Sequence, residues 1–440
     1  MKIAFHTLGC KLNYAETSTY ERGFREAGWK VVPWTEVADV YLVNTCAVTE
    51  TAEKKSRNLV RRAHKTAPEA RIVVTGCYAQ LRREQLLAIE GVWKVFGAAE
   101  KARLVPEVNS WEGTVAPDVA SRPLPSEMGP SLLRDRGWSR SLATVPSQTV
   151  LPAYSSGERT RSFLKVQDGC DNFCAYCTVP YARGRSRSLS IAEVIAQARE
   201  IAAKGIKEIV LTGVNTGDFG RNTGETFLGL IQALNDVDGI DRYRISSIEP
   251  NLISPEIVDW IASGTKFQPH FHIPLQTGSD TLLKRVGRRY DTALFASRIE
   301  YIRQAMESPG SLKVFFGIDV IAGLPGESEE LFMETYDFLK ERIKPAFIHV
   351  FPYSRRPGTV AATWKDQVQD SVKTERVARL EALSSELHAA FVAANHGLKA
   401  QVLWESSEKN GLMGGYTGNY IRVERLFDAL KINHLEEIVL

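Results

Sequence analysis

Three cysteines, Cys170, Cys174 and Cys177, lie in one short segment, separated by three and then two residues. Cysteine thiolates are the usual protein ligands of a 4Fe–4S cluster, and each thiolate binds one iron. Three ligands therefore leave one iron open to the amino and carboxylate groups of a small molecule. The spacing predicts a redox-active cluster that reduces a molecule bound at its open iron.

A structural zinc site is the alternative for the same three cysteines. Such a site normally has four protein ligands, and no neighbouring Cys-x-x-Cys or His-x-x-x-His pair supplies the fourth. With the aromatic Tyr176 before the last cysteine, the spacing resembles the radical S-adenosylmethionine superfamily. This resemblance implies that S-adenosylmethionine binds the open iron and that its one-electron reduction releases a 5′-deoxyadenosyl radical.

A second set of cysteines is spread along the N-terminal part of the chain. Cys10, Cys46 and Cys77 each follow a short apolar segment that is predicted to be a strand. Because the carboxyl ends of parallel strands lie at one edge of a sheet, we expect the three thiols to converge and hold a second 4Fe–4S cluster. The alternative is three unrelated buried cysteines, since free cysteine packs as a small hydrophobic residue.

Strand-like and helix-like segments alternate along most of the chain, which predicts an α/β fold. Residues 1–105 contain strand-like segments at Lys2–Leu8, Val40–Thr45 and Arg71–Thr75, which predict a Rossmann-like parallel sheet. Residues 160–365 contain six more, which predict a partial (β/α)6 barrel. These six are Ser162–Gln167, Glu208–Thr212, Tyr243–Glu249, Phe271–Leu275, Val314–Ile321 and Ala346–Phe351.

Three further segments complete the predicted organisation of this 440-residue chain, which is too long for one ordinary core. Residues 106–159 are rich in proline and predict an irregular linker. Residues 366–396 predict a connecting helix. Residues 397–440 predict a small antiparallel β-module with a glycine-rich turn at Gly411–Gly418.

The loops that follow the predicted barrel strands carry small and polar residues that suit a polar cofactor. Glycine admits close approach of the backbone to a ligand, and a carboxylate can accept hydrogen bonds from ribose hydroxyls. Ordinary turn chemistry is the alternative. The candidate cofactor-binding residues are Tyr176, Thr212, Gly213, Asn215, Ser247, Glu249, Gln276, Gly323, Pro352 and Tyr353.

Arginines cluster beside two of the predicted loops, although the formal net charge of the chain is only +3. Guanidinium groups at the mouth of a barrel would bind a phosphate-bearing substrate. Solvated surface charge is the alternative. The candidate substrate-binding residues are Arg183, Arg185, Arg187, Arg355 and Arg356.

Several other classes of protein are not indicated by the sequence. It has no Walker loop, no nucleophile elbow and no His-Glu-x-x-His motif, and His270 and His272 are expected to be structural or to support a neighbouring site rather than to be catalytic. No apolar run reaches the roughly 18 residues that cross a bilayer. The segment Met1–His6 is typical of a first strand rather than a secretion signal. We therefore expect a cytoplasmic protein with no membrane partner.

Both cysteine sets together resemble the methylthiotransferase family over nearly the whole chain. Lys11-Leu12-Asn13 after the first cysteine is similar to the MtaB-type subfamily. The proline-rich linker and the short C-terminal module, here similar to a TRAM domain, depart from the family pattern. The matching stretches are Thr7–Asn13, Asn44–Thr49, Thr75–Gln80, Gln167–Cys170, Pro274–Gln276 and Phe351–Ser354.

The resemblance implies an enzyme with two 4Fe–4S clusters that consumes two S-adenosylmethionine molecules. One molecule methylates sulfur on the cluster of Cys10, Cys46 and Cys77, and the other yields the radical that abstracts hydrogen from carbon-2 of N6-threonylcarbamoyladenosine in tRNA. The anticodon loop is accessible because its bases can be splayed out. An external donor such as flavodoxin or ferredoxin supplies electrons.

Three alternative functions remain open at this point. Two are methylthiotransferases that act on isopentenyladenosine in tRNA or on an aspartate of a ribosomal protein. The third is a non-enzymatic RNA-binding module in which both cysteine sets hold structural zinc.

Overall fold

The computed structural model describes residues 1–111, 150–156 and 160–440, so most of the predicted linker lies outside the described residues. The chain forms two compact units. The first contains Met1–Ala153, Gly169–Asp171 and Thr178–Arg185, and the second contains all the remaining residues to Leu440. The predicted domain of residues 160–365 thus contributes two short segments to the first unit. Among the described residues, no helix is long and apolar enough to span a membrane.

A five-stranded parallel sheet forms the centre of the first unit, with strand order β2-β1-β3-β4-β5. The sequence analysis predicted β1, β3 and β4 but missed the two outer strands. Both are short and partly exposed and both carry a lysine, so neither shows the continuous apolar pattern of a buried parallel strand. The strands are β1 (Lys2–Thr7), β2 (Lys30–Val32), β3 (Val40–Thr45), β4 (Arg71–Gly76) and β5 (Val92–Phe96).

Helices cover both faces of this sheet and bury a separate apolar core on each face. Thr49 caps one of them by accepting a hydrogen bond from the Ala52 amide at 3.1 Å. The last helix before the gap continues to Asn109, past residue 106 where the linker was predicted to begin. The helices are Lys11–Glu26, Glu50–Thr66, Cys77–Leu81, Arg83–Leu87, Leu104–Asn109 and Val179–Arg183.

The second unit contains the predicted six-stranded parallel sheet, in the order β13-β12-β11-β10-β9-β6. Its outer strands β6 and β13 do not pair with each other, so the barrel is partial, as predicted. A two-residue pair, β7 (Gln167–Asp168) with β8 (Arg187–Ser188), lies beside it. The six strands are β6 (Arg161–Lys165), β9 (Glu208–Thr212), β10 (Arg242–Ile245), β11 (Phe267–Gln276), β12 (Phe315–Ala322) and β13 (Phe347–Pro352).

Helices alternate with these strands. Ser190 and Glu193 form a capping box that starts the first long helix. The final helix covers the edge of β13, where the Ile348 amide donates to Ser384 Oγ at 2.9 Å. The helices are Ile191–Ala203, Phe227–Asn235, Pro255–Ala262, Asp280–Arg285, Thr292–Met306, Glu329–Asp337 and Asp370–Ala393.

A four-stranded antiparallel sheet ends the chain, as predicted, with the order β16-β15-β14-β17. The predicted turn at Gly411–Gly418 was wrong, because Leu412–Thr417 forms strand β15. Gly415 lies where a Cβ atom would be 2.5 Å from Val402 Cγ1, so its glycine reflects close packing of two strands. The strands are β14 (Lys399–Lys409), β15 (Leu412–Thr417), β16 (Arg422–Leu426) and β17 (Leu435–Val439).

Arginines on β10 join this β-module to the barrel sheet. Arg244 is 1% exposed and donates to the carbonyl oxygens of Gly418 at 2.7 Å and Thr417 at 2.8 Å. The same guanidinium lies 2.8 Å from a carboxylate oxygen of Glu208. Arg242 donates to the carbonyl oxygen of Tyr416 at 3.1 Å. The module is therefore an integral part of the second unit.

Candidate functional site

The three N-terminal cysteines follow the carboxyl ends of three adjacent parallel strands, so their loops lie at one edge of the sheet. In register, Thr7 of β1 lies opposite Asn44 of β3, and Thr45 of β3 lies opposite Gly76 of β4. A Cβ atom built on Gly9 would lie 3.0 Å from Cys46 Cβ and 3.2 Å from its Sγ, so the first two loops are in contact. Cys77 is the first residue of the helix that follows β4.

Asparagine side chains fix the first two of these loops. Asn13 Nδ2 donates to the carbonyl oxygens of Leu8 at 2.8 Å and Thr45 at 3.0 Å. Asn44 Nδ2 donates to the carbonyl oxygen of Asn13 at 3.0 Å. Because both side chains are buried, loss of either would leave main-chain groups without partners.

The third loop depends on Gly76, which has a φ of +98°. A Cβ atom at this position would lie 2.3 Å from the Thr45 carbonyl oxygen. Only glycine combines this backbone conformation with so close an approach to the neighbouring strand. The residue before Cys77 therefore sets the position of that thiol.

Burial has the largest effect on the pKa values of the Cys46 and Cys77 thiols. Burial, together with the neighbouring thiols of Cys77 and Cys10, raises the pKa of Cys46 to about 11. Burial also raises the pKa of Cys77, while the charge of Arg183 lowers the pKa of both buried thiols. A metal must displace the thiol protons to bind here, and a nearby guanidinium favours the thiolates that result. Three thiols at one sheet edge, two of them influenced by a buried cation, fit a cluster with three cysteine ligands.

Arg183 itself is 2% exposed, which argues against the predicted contact with a substrate phosphate. Its Nη1 lies 3.2 Å from Glu16, and its Nη2 donates to Asn13 Oδ1. Glu16 also pairs with Lys101 at 2.7 Å. Sequence reasoning missed Glu16 and Lys101, because their pairing joins residues that are far apart along the chain.

The segment that carries Cys170, Cys174 and Cys177 follows β7. Its central residue Ala175 donates its amide hydrogen to the Val286 carbonyl at 2.9 Å and accepts from the Ala361 amide at 2.8 Å. Tyr176 packs against the core that contains Leu324 and Tyr353. These contacts fix the backbone between Cys174 and Cys177 within the second unit.

A buried arginine contacts one thiol of this segment. Arg288 Nη1 donates to Cys174 Sγ at 3.4 Å, and its Nη2 lies 2.7 Å from Glu249. Its Nε donates to the Tyr290 hydroxyl at 3.0 Å. Sequence reasoning gave Arg288 no role, because nothing in the basic run Lys284–Arg289 distinguishes a buried arginine from exposed ones.

The other candidate cofactor-binding residues lie where the parallel strands β9 to β13 end, so they share one edge of the sheet. Asn215 Oδ1 accepts a hydrogen bond from the Glu249 amide at 3.2 Å, which joins the loops after β9 and β10. Gln276 ends β11 with a φ of +74°. The full set at this edge is Thr212, Gly213, Asn215, Ser247, Glu249, Gln276, Gly323, Pro352 and Tyr353.

Three of the five candidate arginines, Arg183, Arg187 and Arg356, have little exposed side-chain area. Arg356 is 3% exposed, and Arg187 pairs with Asp168 at 3.4 Å. The side chain of Arg185 is 54% exposed. Arg355 is also exposed, with its Nε bonded to the Ala362 carbonyl at 2.8 Å. Arg185 and Arg355 are thus the two of these five that remain candidates for contact with a phosphate backbone.

Comparison with known proteins shows the family to which this chain belongs. Residues 2–97 match the model of Uncharacterized protein family UPF0004, and residues 164–339 match the Radical SAM superfamily. The chain is 40% identical over 428 residues to Threonylcarbamoyladenosine tRNA methylthiotransferase MtaB of Bacillus subtilis, which covers 96% of this chain and 89% of that protein. The chain belongs to the MtaB-type methylthiotransferases of the radical S-adenosylmethionine superfamily. Enzymes of this family use S-adenosylmethionine and 4Fe–4S clusters.

Other relatives extend this comparison. The Aquifex aeolicus protein with the same name is 36% identical and covers 97% of both chains. A tRNA-2-methylthio-N(6)-dimethylallyladenosine synthase of Nitratidesulfovibrio vulgaris is 33% identical and covers 92% of this chain and 87% of that protein. The radical S-adenosylmethionine methyltransferase TsrM of Kitasatospora setae has a TM-score of 0.55 at 14% identity, covering 79% of this chain and 72% of that chain. That last likeness supports the fold alone.

Proposed function

We propose that this methylthiotransferase inserts a methylthio group at carbon-2 of N6-threonylcarbamoyladenosine, next to the anticodon of tRNA. The convergence of the Cys10, Cys46 and Cys77 loops carries the proposal, because an enzyme that only generates a radical needs no second group of three thiols. Relatives named for this substrate match nearly the whole chain.

Two sites are needed because an aromatic C–H bond resists polar attack. When bound, the clusters and S-adenosylmethionine supply an electron, a methyl group, sulfur and a carbon-centred radical. In this proposal Cys170, Cys174 and Cys177 hold the cluster that serves radical formation. Cys10, Cys46 and Cys77 hold the cluster that serves sulfur transfer.

The surrounding residues fix the positions of these cysteines and offset the negative charge of their thiolates. Asn13 and Asn44 fix the loops before Cys10 and Cys46 through buried hydrogen bonds. Arg183 offsets the negative charge of the nearby thiolates. Arg288 donates directly to Cys174 and ties that thiol to Glu249. The polar residues that end β9 to β13, with Asn215 among them, line the proposed S-adenosylmethionine site.

Recognition of the substrate requires cations, since tRNA presents phosphates and the threonylcarbamoyl group adds a carboxylate. Arg185 and Arg355 are the exposed candidates for these contacts. An external electron donor such as flavodoxin or ferredoxin and a cytoplasmic location complete the proposal, because the reaction consumes electrons and acts on tRNA.

Mass spectrometry of tRNA nucleosides tests the function. A strain that lacks the gene should contain N6-threonylcarbamoyladenosine without its 2-methylthio derivative, and the wild-type gene should restore the derivative. The Cys46→Ala variant should not restore it, whereas the surface variant Arg25→Lys should restore it and serves as the control. Unchanged 2-methylthio-threonylcarbamoyladenosine in the deletion strain would refute the proposal.

The dimethylallyladenosine synthase among the relatives makes isopentenyladenosine the second candidate substrate. The same digest measures both derivatives. Loss of 2-methylthio-isopentenyladenosine alone would transfer the assignment to that substrate and leave the cysteine sites unaffected.

A further inference from the structure

Three potential metal ligands outside the cysteine sites lie on neighbouring strands of the barrel sheet. His272 belongs to β11, Asp319 to β12 and His349 to β13. Asp319 lies directly opposite His349, and His272 lies opposite Gly317, two residues before Asp319. Because side chains alternate along a strand, all three lie on the same face of the sheet.

The two faces of the sheet differ in polarity and in exposure at these positions. The opposite face carries the fully buried residues Phe271, Ile273, Phe316, Ile318 and Ile348. On the near face the side chains of His272 and Asp319 are 21% and 19% exposed. The three polar side chains are therefore accessible to small ions and are not part of the apolar packing.

The donor atoms of these side chains are close together. One ligand atom from each residue lies within 4.8 Å of the other two. His272 Nε2 is 2.7 Å from Asp319 Oδ1, and the two imidazole centroids are 5.2 Å apart at an interplanar angle of 62°. A single ion with bonds of about 2.0–2.2 Å can contact all three after small side-chain rotations.

Gly317 provides the space for this arrangement. A Cβ atom built there would lie 3.6 Å from His349 Nε2 and 3.8 Å from His272 Cδ2, so both rings lie over the glycine. The Phe347 ring packs against His349 with centroids 4.8 Å apart, which holds that imidazole in place. A larger residue at 317 would crowd the two rings.

We propose that His272, Asp319 and His349 bind a divalent transition-metal ion. Two imidazoles and one carboxylate suit borderline ions such as Zn²⁺, Co²⁺ or Ni²⁺, whereas Mg²⁺ and Ca²⁺ prefer oxygen ligands alone. Three protein ligands leave a coordination position for water or an anionic oxygen of a small ligand.

Zinc binding to the anaerobic holoenzyme tests this proposal. With iron already bound to the cysteine sites, the protein is incubated with a slight excess of Zn²⁺, desalted, and analysed for zinc and iron. One zinc per chain should be retained in addition to the iron. Zinc-edge X-ray absorption should show only nitrogen and oxygen neighbours at about 2.0–2.1 Å, without the sulfur shell near about 2.3 Å that cysteine ligation gives.

Substitutions at the ligands identify the site. Asp319→Asn keeps the size and a hydrogen-bonding group, and His349→Ala removes one imidazole. Each should weaken zinc binding at least about 100-fold, because loss of a ligand should cost at least as much as the roughly 10–100-fold that loss of an outer-shell partner costs. His388→Ala is the matched control, because His388 lies in the same unit and bonds to the Ala346 carbonyl instead. Iron content and thermal unfolding verify that the variants fold.

Two results would overturn the proposal. One is wild-type holoenzyme that retains no zinc, which would make the cluster a hydrogen-bonded His–Asp–His group only. The other is zinc with sulfur neighbours, or zinc that is unaffected by Asp319→Asn and His349→Ala, because the ion would then be bound elsewhere.

Discussion

The two cysteine sets differ in what determines their positions. Cys10, Cys46 and Cys77 follow three separate strands, so the register of a whole parallel sheet places them. Cys170, Cys174 and Cys177 belong to one short segment, so their spacing in the sequence limits how far apart they can lie, and the backbone bonds of Ala175 to Val286 and Ala361 hold part of that segment. A motif search finds the second kind of site from spacing alone, whereas the first kind requires a prediction of the fold.

Their charged neighbours differ as well. Near the first set, Arg183 acts on two buried thiols through its charge and is itself held by Glu16. In the second, Arg288 donates a hydrogen bond directly to Cys174 Sγ. The second arrangement couples one guanidinium to one ligand, so its loss should affect that cluster more strongly.

The largest expected effect separates the chemical roles of the two sets. Cys174→Ala should reduce reductive cleavage of S-adenosylmethionine to background, because one iron loses its ligand. Cys46→Ala should retain this cleavage but form no methylthio product. Release of 5′-deoxyadenosine and formation of the product nucleoside are measured in the same assay. Product formation by Cys46→Ala at the wild-type rate would disprove the division.

The second-largest effect is expected from alanine substitutions of Gly76 and Gly169, which directly precede Cys77 and Cys170. A Cβ atom would lie 2.3 Å from the Thr45 carbonyl oxygen at Gly76 and 2.0 Å from the Arg185 carbonyl oxygen at Gly169, which has a φ of +74°. Either alanine variant should lose about half of the bound iron, each from its own cluster, and be destabilised by roughly 1–3 kcal/mol or more.

Gly28→Ala is the control for these variants, because Gly28 has a φ of +84° but a Cβ atom added there would have no neighbour within 4 Å. It should show the backbone cost without loss of iron. Iron analysis and thermal unfolding provide both readouts. Equal iron loss in all three variants would mean that backbone conformation, and not close approach, decides cluster retention.

Reduction potentials compare the two arginines. The guanidinium of Arg288, which contacts Cys174 Sγ, would stabilise the reduced, more negative state of the cluster proposed there, so Arg288→Met should lower its midpoint potential. A hydrogen bond to a charged group contributes about 1.5–3 kcal/mol, which corresponds to roughly 60–130 mV for one electron. Arg183→Met should lower the potential of the other cluster by less. Redox titration followed by electron paramagnetic resonance measures both, with Arg289→Met as control; equal shifts would contradict the difference in contacts.

The smallest expected effect concerns tRNA affinity. Arg185→Ala and Arg355→Ala should each weaken binding a few-fold at moderate salt and reduce the slope of log affinity against log salt by about 1, because each removes one phosphate contact. Arg25→Ala changes an arginine whose side chain is 57% exposed and should leave both quantities unchanged. Identical salt slopes for wild type and both variants would remove these arginines from the interface.

The positions of the strands could be predicted from the sequence, whereas the burial of a charged residue could not. The buried strands Val40–Thr45 and Arg71–Gly76 have continuous apolar patterns, so the sequence predicted where Cys46 and Cys77 would emerge. Arg183 could not be predicted as buried, because its partner Glu16 lies in a distant helix. A charged residue in a sequence carries no sign of its partner, and therefore its burial is known only once the fold is known.

The glycines of β15 show a related limit. Glycine is a common turn residue, and Gly414 and Gly415 accordingly suggested a turn. In the structure Gly415 allows β15 to approach Val402 closely, which only the pairing of two strands reveals. Local residue preferences alone therefore could not predict how the strands of the C-terminal sheet pair.

The arginines that join β10 to the C-terminal sheet also constrain how this enzyme can evolve. Arg244 needs the carbonyl groups of Thr417 and Gly418, and Glu208 needs Arg244, so removal of the module would uncover a buried ion pair at the end of the barrel sheet. An exchange of this module between relatives would therefore have to carry matching changes in β9 and β10. Its inheritance is coupled to that of the catalytic barrel, unlike that of an accessory domain joined by a flexible tether.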